Sequence, residues 1–236
     1  NSTEQKKIIN SDNKTNNSDN KNSSNLDNNN EKLVQTILKN MIKADENNKI
    51  YEATFTNYSK GRMKNGKDTG QIREVTIKAR MTLKKPRNVK MYVIESPEPM
   101  ARGATLLYTG GNKVKVKASG VLGLIPVSFD VNDPMFENAR GHTIMSSFDG
   151  IRRLLLKDTK IEILGTSYIG DKKVYLLKVI PAEKLDNEIT HEVYSVDINT
   201  FIVLSVEMFV NKDLVFQYKI DDIKTNINIS DDFFTL

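Results

Sequence analysis

The sequence predicts a mainly β protein with helices (α+β), a curved antiparallel sheet whose apolar face is covered by an N-terminal helix and by helices inserted into the strand meander. Three observations predict it. Apolar residues recur with a period of two through most of the chain after Tyr51, short turn signals separate these runs, and two stretches carry apolar residues at helical spacing.

The elements follow in chain order. Residues Asn1 to Asn30 are dominated by Asn, Ser, Asp and Lys, with only Ile8, Ile9 and Leu26 as sizeable apolar side chains. Such a tract cannot bury enough surface to offset its ordering entropy, so it is expected to be disordered, a tether of residues 1–30 ahead of a folded domain of residues 31–236. The chain begins at Asn1 without an initiator Met and enters this polar tract directly, as an exported protein does once its signal peptide is removed. Next, Leu33, Val34, Ile37, Leu38, Met41 and Ile42 repeat at helical spacing, with Lys32, Lys39 and Lys43 on the polar side.

From Tyr51 the period changes. Val75, Ile77, Ala79, Met81 and Leu83 alternate with Thr76, Lys78, Arg80, Thr82 and Lys84 along one long strand. Lys113 to Lys117, Ile161 to Ile169, Val174 to Ile180, Glu192 to Ile198, Phe201 to Val210 and Leu214 to Ile220 read as further strands. Turns are expected at Gly110-Gly111-Asn112, Gly170 to Lys173, Asn199-Thr200 and Asn211 to Asp213. The meander is interrupted once, from about Asp133 to Asp158. There Asp133-Pro134 reads as a helix start and Gly141 as its stop. Ser146 or Ser147 then caps a second helix with Phe148, Ile151, Leu154 and Leu155 on one face and Arg152 and Arg153 outside.

Bulk properties narrow the function. The net charge of +5 invites a nucleic-acid reading, but the lysines are dispersed along strand faces and no nucleic-acid-binding pattern is present, so no nucleic-acid partner is expected. There are no cysteines, which excludes disulfides and thiolate chemistry. Gly61-Arg62-Met63-Lys64-Asn65-Gly66-Lys67-Asp68 nearly spells a phosphate-binding loop, yet Asp68 stands where a hydroxyl must hold magnesium, and the flanks are strands; it reads as a hairpin loop. His142 and His191 sit in no metal-ligand spacing, and Glu95, Glu98, Asp221 and Asp222 read as ordinary loop and strand-end charges. No catalytic set, metal or cofactor is expected, and the chain reads as a binding protein rather than an enzyme. Gly120 to Pro126 is irregular but carries Val121, Leu122, Leu124 and Ile125; it is either a strand end folded over the core or an apolar rim at a ligand mouth or membrane.

From Leu33 onward the chain resembles the lipoprotein-localisation carriers of the LolA/LolB type and a related bacterial domain family of uncharacterised function. The amphipathic helix leads into Tyr51-Glu52-Ala53-Thr54-Phe55-Thr56, similar to the family's first helix and strand. Leu83-Lys84-Lys85-Pro86 is similar to its "K-R-P" step, and Gly110-Gly111-Asn112-Lys113 to its "dG-K" hairpin. The ending Ile220 to Phe233 matches the family's last strand running into an Asn and a Phe. The block from Pro99 to Ile151 looks closer to the uncharacterised relatives.

The resemblance implies a half-open barrel with helices as a lid and an apolar cavity for acyl chains. Its lining would be Phe55, Val75, Ile77, Met81, Leu83, Val114, Val116, Leu204, Val206 and Met208, or else these same side chains fill one another's space as an ordinary core; Phe148, Ile151, Leu154 and Leu155 would lie on the lid, and Leu122, Leu124 and Ile125 at the mouth. The family's lid-holding arginine is Lys85 here, which lacks the forked donors of a guanidinium. The expected partners are a lipid or acylated lipoprotein and a membrane surface reached through an N-terminal anchor, in the cell envelope. The alternative is an envelope sensor that engages another envelope protein and carries no lipid.

Overall fold

The computed structural model describes residues 19–62, 72–120, 125–133, 137–138, 141–142, 151–183 and 188–236. Helix α1 (Asp19–Asn47) leads into β1 (Ile50–Arg62), β2 (Ile72–Lys84), β3 (Asn88–Glu95), β4 (Thr105–Tyr108), β5 (Lys113–Lys117) and β6 (Val127–Asp130). After β7 (Glu137–Asn138), β8 (Gly141–His142) and a helical turn at 151–154 come β9 (Lys160–Ile169), β10 (Lys172–Ile180), β11 (His191–Asp197), β12 (Val203–Val210), β13 (Asp213–Thr225) and a 3-10 helix (Asp231–Phe234).

Eleven strands form one antiparallel sheet in the order β6-β5-β4-β3-β2-β1-β13-β12-β11-β10-β9. Every neighbour is a sequence neighbour except β1 and β13. The chain therefore starts in the middle, meanders to one edge, crosses to the other and meanders back. The sheet is curved and does not close. Register shifts interrupt five of its strand pairings, between Thr54 and Phe55 among others, and such bulges bend and twist strands.

Register carries one apolar face across the whole sheet. Asn57, Tyr218, Val206, Tyr194, Leu177 and Ile163 stand opposite one another in successive strands, as do Tyr51, Leu83, Val89 and Tyr108 on the other side. Helix α1 lies on this inner face. It buries Val34, Ile37, Leu38 and Met41 against Leu177, Val179, Tyr194 and Val196, together with Leu154 of the helical turn. The outer face is closed near the C-terminus. Lys90, opposite the buried Thr82 and Leu107, donates to the carbonyls of Phe233 (2.8 Å) and Thr235 (2.9 Å), with its ammonium 4.8 Å from the Phe233 ring centre. Phe234 is buried there as well.

Four expectations need correction. Helix α1 begins at Asp19, so the latter part of the Asn-rich tract continues the helix; propagation from an anchored segment fixes one residue per added bond and needs no new nucleus. Residues 1–18 lie outside the described set. The helix expected to end at Gly141 is replaced by a small antiparallel pair, Glu137 to Asn138 against Gly141 to His142. Leu155 does not share Leu154's face: the helical turn ends at 154, Leu155 donates back to the Arg152 carbonyl (3.1 Å), and its side chain is 49% exposed. Arg153 is not outside but largely buried, in an ion pair described below.

Candidate functional site

The inner face divides into two fields. Over β9 to β12 the apolar side chains meet α1. Over β1 to β5 they form a second cluster of Phe55, Ala79, Met81, Leu83, Val89, Met91, Tyr108 and Val114, with Val131 beyond β6; among the described residues none of α1 belongs to it. Strand alternation builds this field, because every second residue of β1, β2, β3 and β5 points to one face and most of those residues are apolar.

The ten expected lining residues are spread over both halves. Phe55, Met81, Leu83 and Val114 are in the β1 to β5 cluster and Val116 packs on it. Val75 and Ile77 are half-buried on the same face, further along β2. Met208 joins a third cluster with Ile189, Val215 and Phe216; Val206 packs between it and the α1 cluster. Leu204 is buried in β12. Of the expected lid and mouth residues, Leu154 is buried under α1 with Ile151 packed beside it, Ile125 is exposed, and Phe148, Leu122 and Leu124 lie outside the described residues.

Two tyrosines add polar atoms that the sequence did not single out. Tyr51 and Tyr218 pack on the β1 to β5 cluster, with the Tyr218 ring 5.0 Å from that of Phe55. Burial pushes both phenols above their usual range; Asp45 raises Tyr51 further, and Tyr51 raises Tyr218. Both phenols are buried against this apolar cluster. Period-two alternation from Phe55 could have found Tyr51, but Tyr218 is placed only by the pairing of β13 with β1.

Lys85 ties the β2–β3 turn to the end of α1. Its ammonium pairs with the Asp45 carboxylate at 2.5 Å and also reaches the Asp45 carbonyl, one of the carbonyls that a helix C-terminus leaves unpaired. Asp45 is half-exposed, so the contact is worth little. Lys85→Ala is expected to cost about 1 kcal/mol in urea unfolding.

A second tie was not visible in the sequence. Glu192 of β11 is fully buried on the inner face, where its carboxylate accepts from Arg153 at 2.5 Å and from the Tyr194 hydroxyl at 2.8 Å. Arg153 also donates to the Glu183 carbonyl at 3.3 Å. Burial, then the neighbouring Glu192, pushes the Tyr194 phenol well above its usual range. The helical turn is therefore held to the sheet through one charged contact.

His191 stacks on Phe209, ring centres 4.9 Å apart, with its Nδ1 3.1 Å from the Thr190 hydroxyl. Burial and then Lys178 hold its imidazole below the ordinary range. Among the described residues no group of three or more His, Cys, Asp or Glu is arranged to hold a metal, and no helix is long and apolar enough to cross a membrane.

Solved structures share this architecture. An uncharacterized conserved protein from Thermus thermophilus matches with a TM-score of 0.50 at 11% identity, over 85% of this chain and 91% of that one. Lipoprotein LppX from Mycobacterium tuberculosis matches at 0.49 and 11% identity, over 83% and 97% of the two chains. A LolA superfamily protein from Nitrosomonas europaea matches at 0.37 and 15% identity, over 86% and 97%. At these identities the likeness is one of fold. No protein-family model and no curated protein matches the sequence.

Proposed function

We propose that the chain is an envelope-anchored lipid or lipoprotein carrier, which holds an acyl chain against the inner face of β1 to β5 and acts by binding rather than by catalysis. The observation that supports this most is the make-up of that face: among the described residues the buried cluster around Phe55, Met81 and Leu83 is built from strand residues and Val131, while α1 packs on the β9 to β12 half. An apolar wall with few polar groups suits an acyl ligand. Each methylene removed from water contributes about 0.8 kcal/mol. The Tyr218 hydroxyl would take the ester or carboxyl oxygen at the chain's polar end. Val75, Ile77, Val116, Leu204, Val206 and Met208 would extend the wall, Ile151 and Leu154 would belong to the lid, and Ile125, with Leu122 and Leu124, to the mouth. Residues 1–30 would tether the domain to an extracytoplasmic membrane face.

The test is native mass spectrometry with lipid extraction on protein purified from its own membrane, followed by titration with a fluorescent fatty acid. Co-purified lipid and micromolar binding are expected. Lipid-free protein that also fails to bind added fatty acid, phospholipid and lipopeptide would sink the carrier reading in favour of a sensor that engages another envelope protein. Tyr218→Phe should weaken probe binding about 2- to 10-fold, the net worth of one hydrogen bond. If Lys85 gates the lid, Lys85→Arg should slow probe release at similar stability, because a guanidinium makes more directed bonds to helix-end carbonyls. Unchanged release would leave Lys85 a surface tie only.

A further inference from the structure

The two ends of the sheet differ in what they expose. One end collects the connections β1–β2, β3–β4 and β5–β6, and there stand Ile72 (64% exposed), Met100 (76%), Ile125 (76%) and Val127 (54%). Ile180, the last residue of β10, lies further along the same end. At the opposite end Tyr168 is the exposed large apolar side chain among the described residues. Single exposed apolar residues are ordinary, but four on adjoining connections are not scattered.

Contacts tie these connections to one another. Arg73, beside Ile72, pairs with Glu98 of the β3–β4 connection at 3.6 Å. Gly103 of that connection lies so close to Ser119 that an added Cβ would come within 2.9 Å of the serine Cβ, and its φ of +78° also favours glycine. Ser119 opens the connection that leads to Ile125 and Val127. Flanking the rim on the outer face, Arg80, Tyr92, Thr105 and Lys117 stand opposite one another in β2 to β5, and Lys115 lies two residues from Lys117. Arg80, Tyr92, Lys115 and Lys117 are all exposed, as is Arg102 on the β3–β4 connection. Carboxylates at this end include Glu98, engaged by Arg73, Glu74, engaged by Lys60 at 2.8 Å, Asp213, which also acts on Lys60, and Glu95 opposite Lys78.

We infer that this end of the sheet docks onto an anionic lipid bilayer, with Ile72, Met100, Ile125 and Val127 entering the acyl layer and Arg80, Arg102, Lys115 and Lys117 meeting headgroup phosphates. Apolar tips bordered by cations and a tyrosine are the arrangement by which a protein seats itself in an interface without spanning it. This surface adjoins the proposed mouth at Ile125, and docking does not depend on cargo held on the inner face.

Flotation of the full chain with vesicles tests it. The protein should float with vesicles of phosphatidylcholine mixed with phosphatidylglycerol, less with phosphatidylcholine alone, and less again as salt is raised. The double substitution Ile72→Asp and Met100→Asp should lower partition roughly tenfold or more, since it removes two of the four apolar tips and adds two anions. Tyr168→Asp, at the far end, should float like the parent. Both altered residues are highly exposed, so the variant should fold, and its fatty-acid binding in vesicle-free solution should match the parent's. The inference is overturned if the parent does not float with anionic vesicles, or if the double variant floats equally well. It is also overturned if the double substitution instead converts an oligomer to a monomer in sedimentation, which would assign the rim to a second copy of the chain. Loss of fatty-acid binding by the parent would count against the cargo reading alone.

Discussion

Arg153→Met should lower the free energy of unfolding by about 3–5 kcal/mol, the usual cost of leaving a buried carboxylate without its counter-ion. Glu192 is fully buried, and with Arg153 gone its remaining partner is the Tyr194 hydroxyl, which cannot supply a charge. Urea unfolding followed by circular dichroism measures the loss. In a domain of this size each kcal/mol shifts the melting temperature by roughly 2–4 °C, so the variant should melt well below the parent. The paired change Arg153→Met with Glu192→Leu should recover most of the stability, because two apolar groups of similar volume need no desolvation of charge. A single variant as stable as the parent would mean that water or another group already satisfies Glu192. A paired variant no better than the single one would mean that shape, and not charge, holds the helical turn on β11.

Leu83→Ala should cost about 2–5 kcal/mol, as expected for a large-to-small change at a residue that is 1% exposed. The informative measurement is what ligand does to that loss. If an acyl chain lies on the β1 to β5 cluster, saturating fatty acid should return stability by mass action, about 2.7 kcal/mol at a hundredfold excess over Kd. Leu177→Ala, made under α1 in the other cluster, should lose a similar amount, while its ligand-induced gain should equal the parent's. The two halves should differ in affinity: Leu83→Ala changes the wall that the ligand touches, Leu177→Ala does not. Equal probe affinity in both variants and the parent would remove the β1 to β5 face from the binding site.

What the sequence by itself determined is local periodicity and its punctuation. The alternation from Val75 to Leu83 is enough to say which residues of β2 turn inward, since side chains in a strand alternate whatever the strand pairs with. The spacing of Val34, Ile37, Leu38 and Met41 likewise names α1's buried stripe. The turns at Gly110 to Asn112, Gly170-Asp171 and Asn211-Lys212 were legible from their residue types, and they make the two meanders. Periodicity is silent wherever the partner is distant. That β13 returns to β1, setting Tyr218 beside Phe55, follows from closing a sheet across more than 160 residues. Glu192 reads in the sequence as one more charge on an alternating strand, and only the arrival of Arg153, 39 residues away, makes its burial tolerable. Gly141 stands in β8 and not at a helix stop, because the pairing of Glu137 and Asn138 with Gly141 and His142 is not a property of the glycine itself. The division of one apolar face into a half under α1 and a half of strand residues depends on where a helix of 29 residues comes to rest, and its direction is decided by packing against β9 to β11 rather than by any residue of its own.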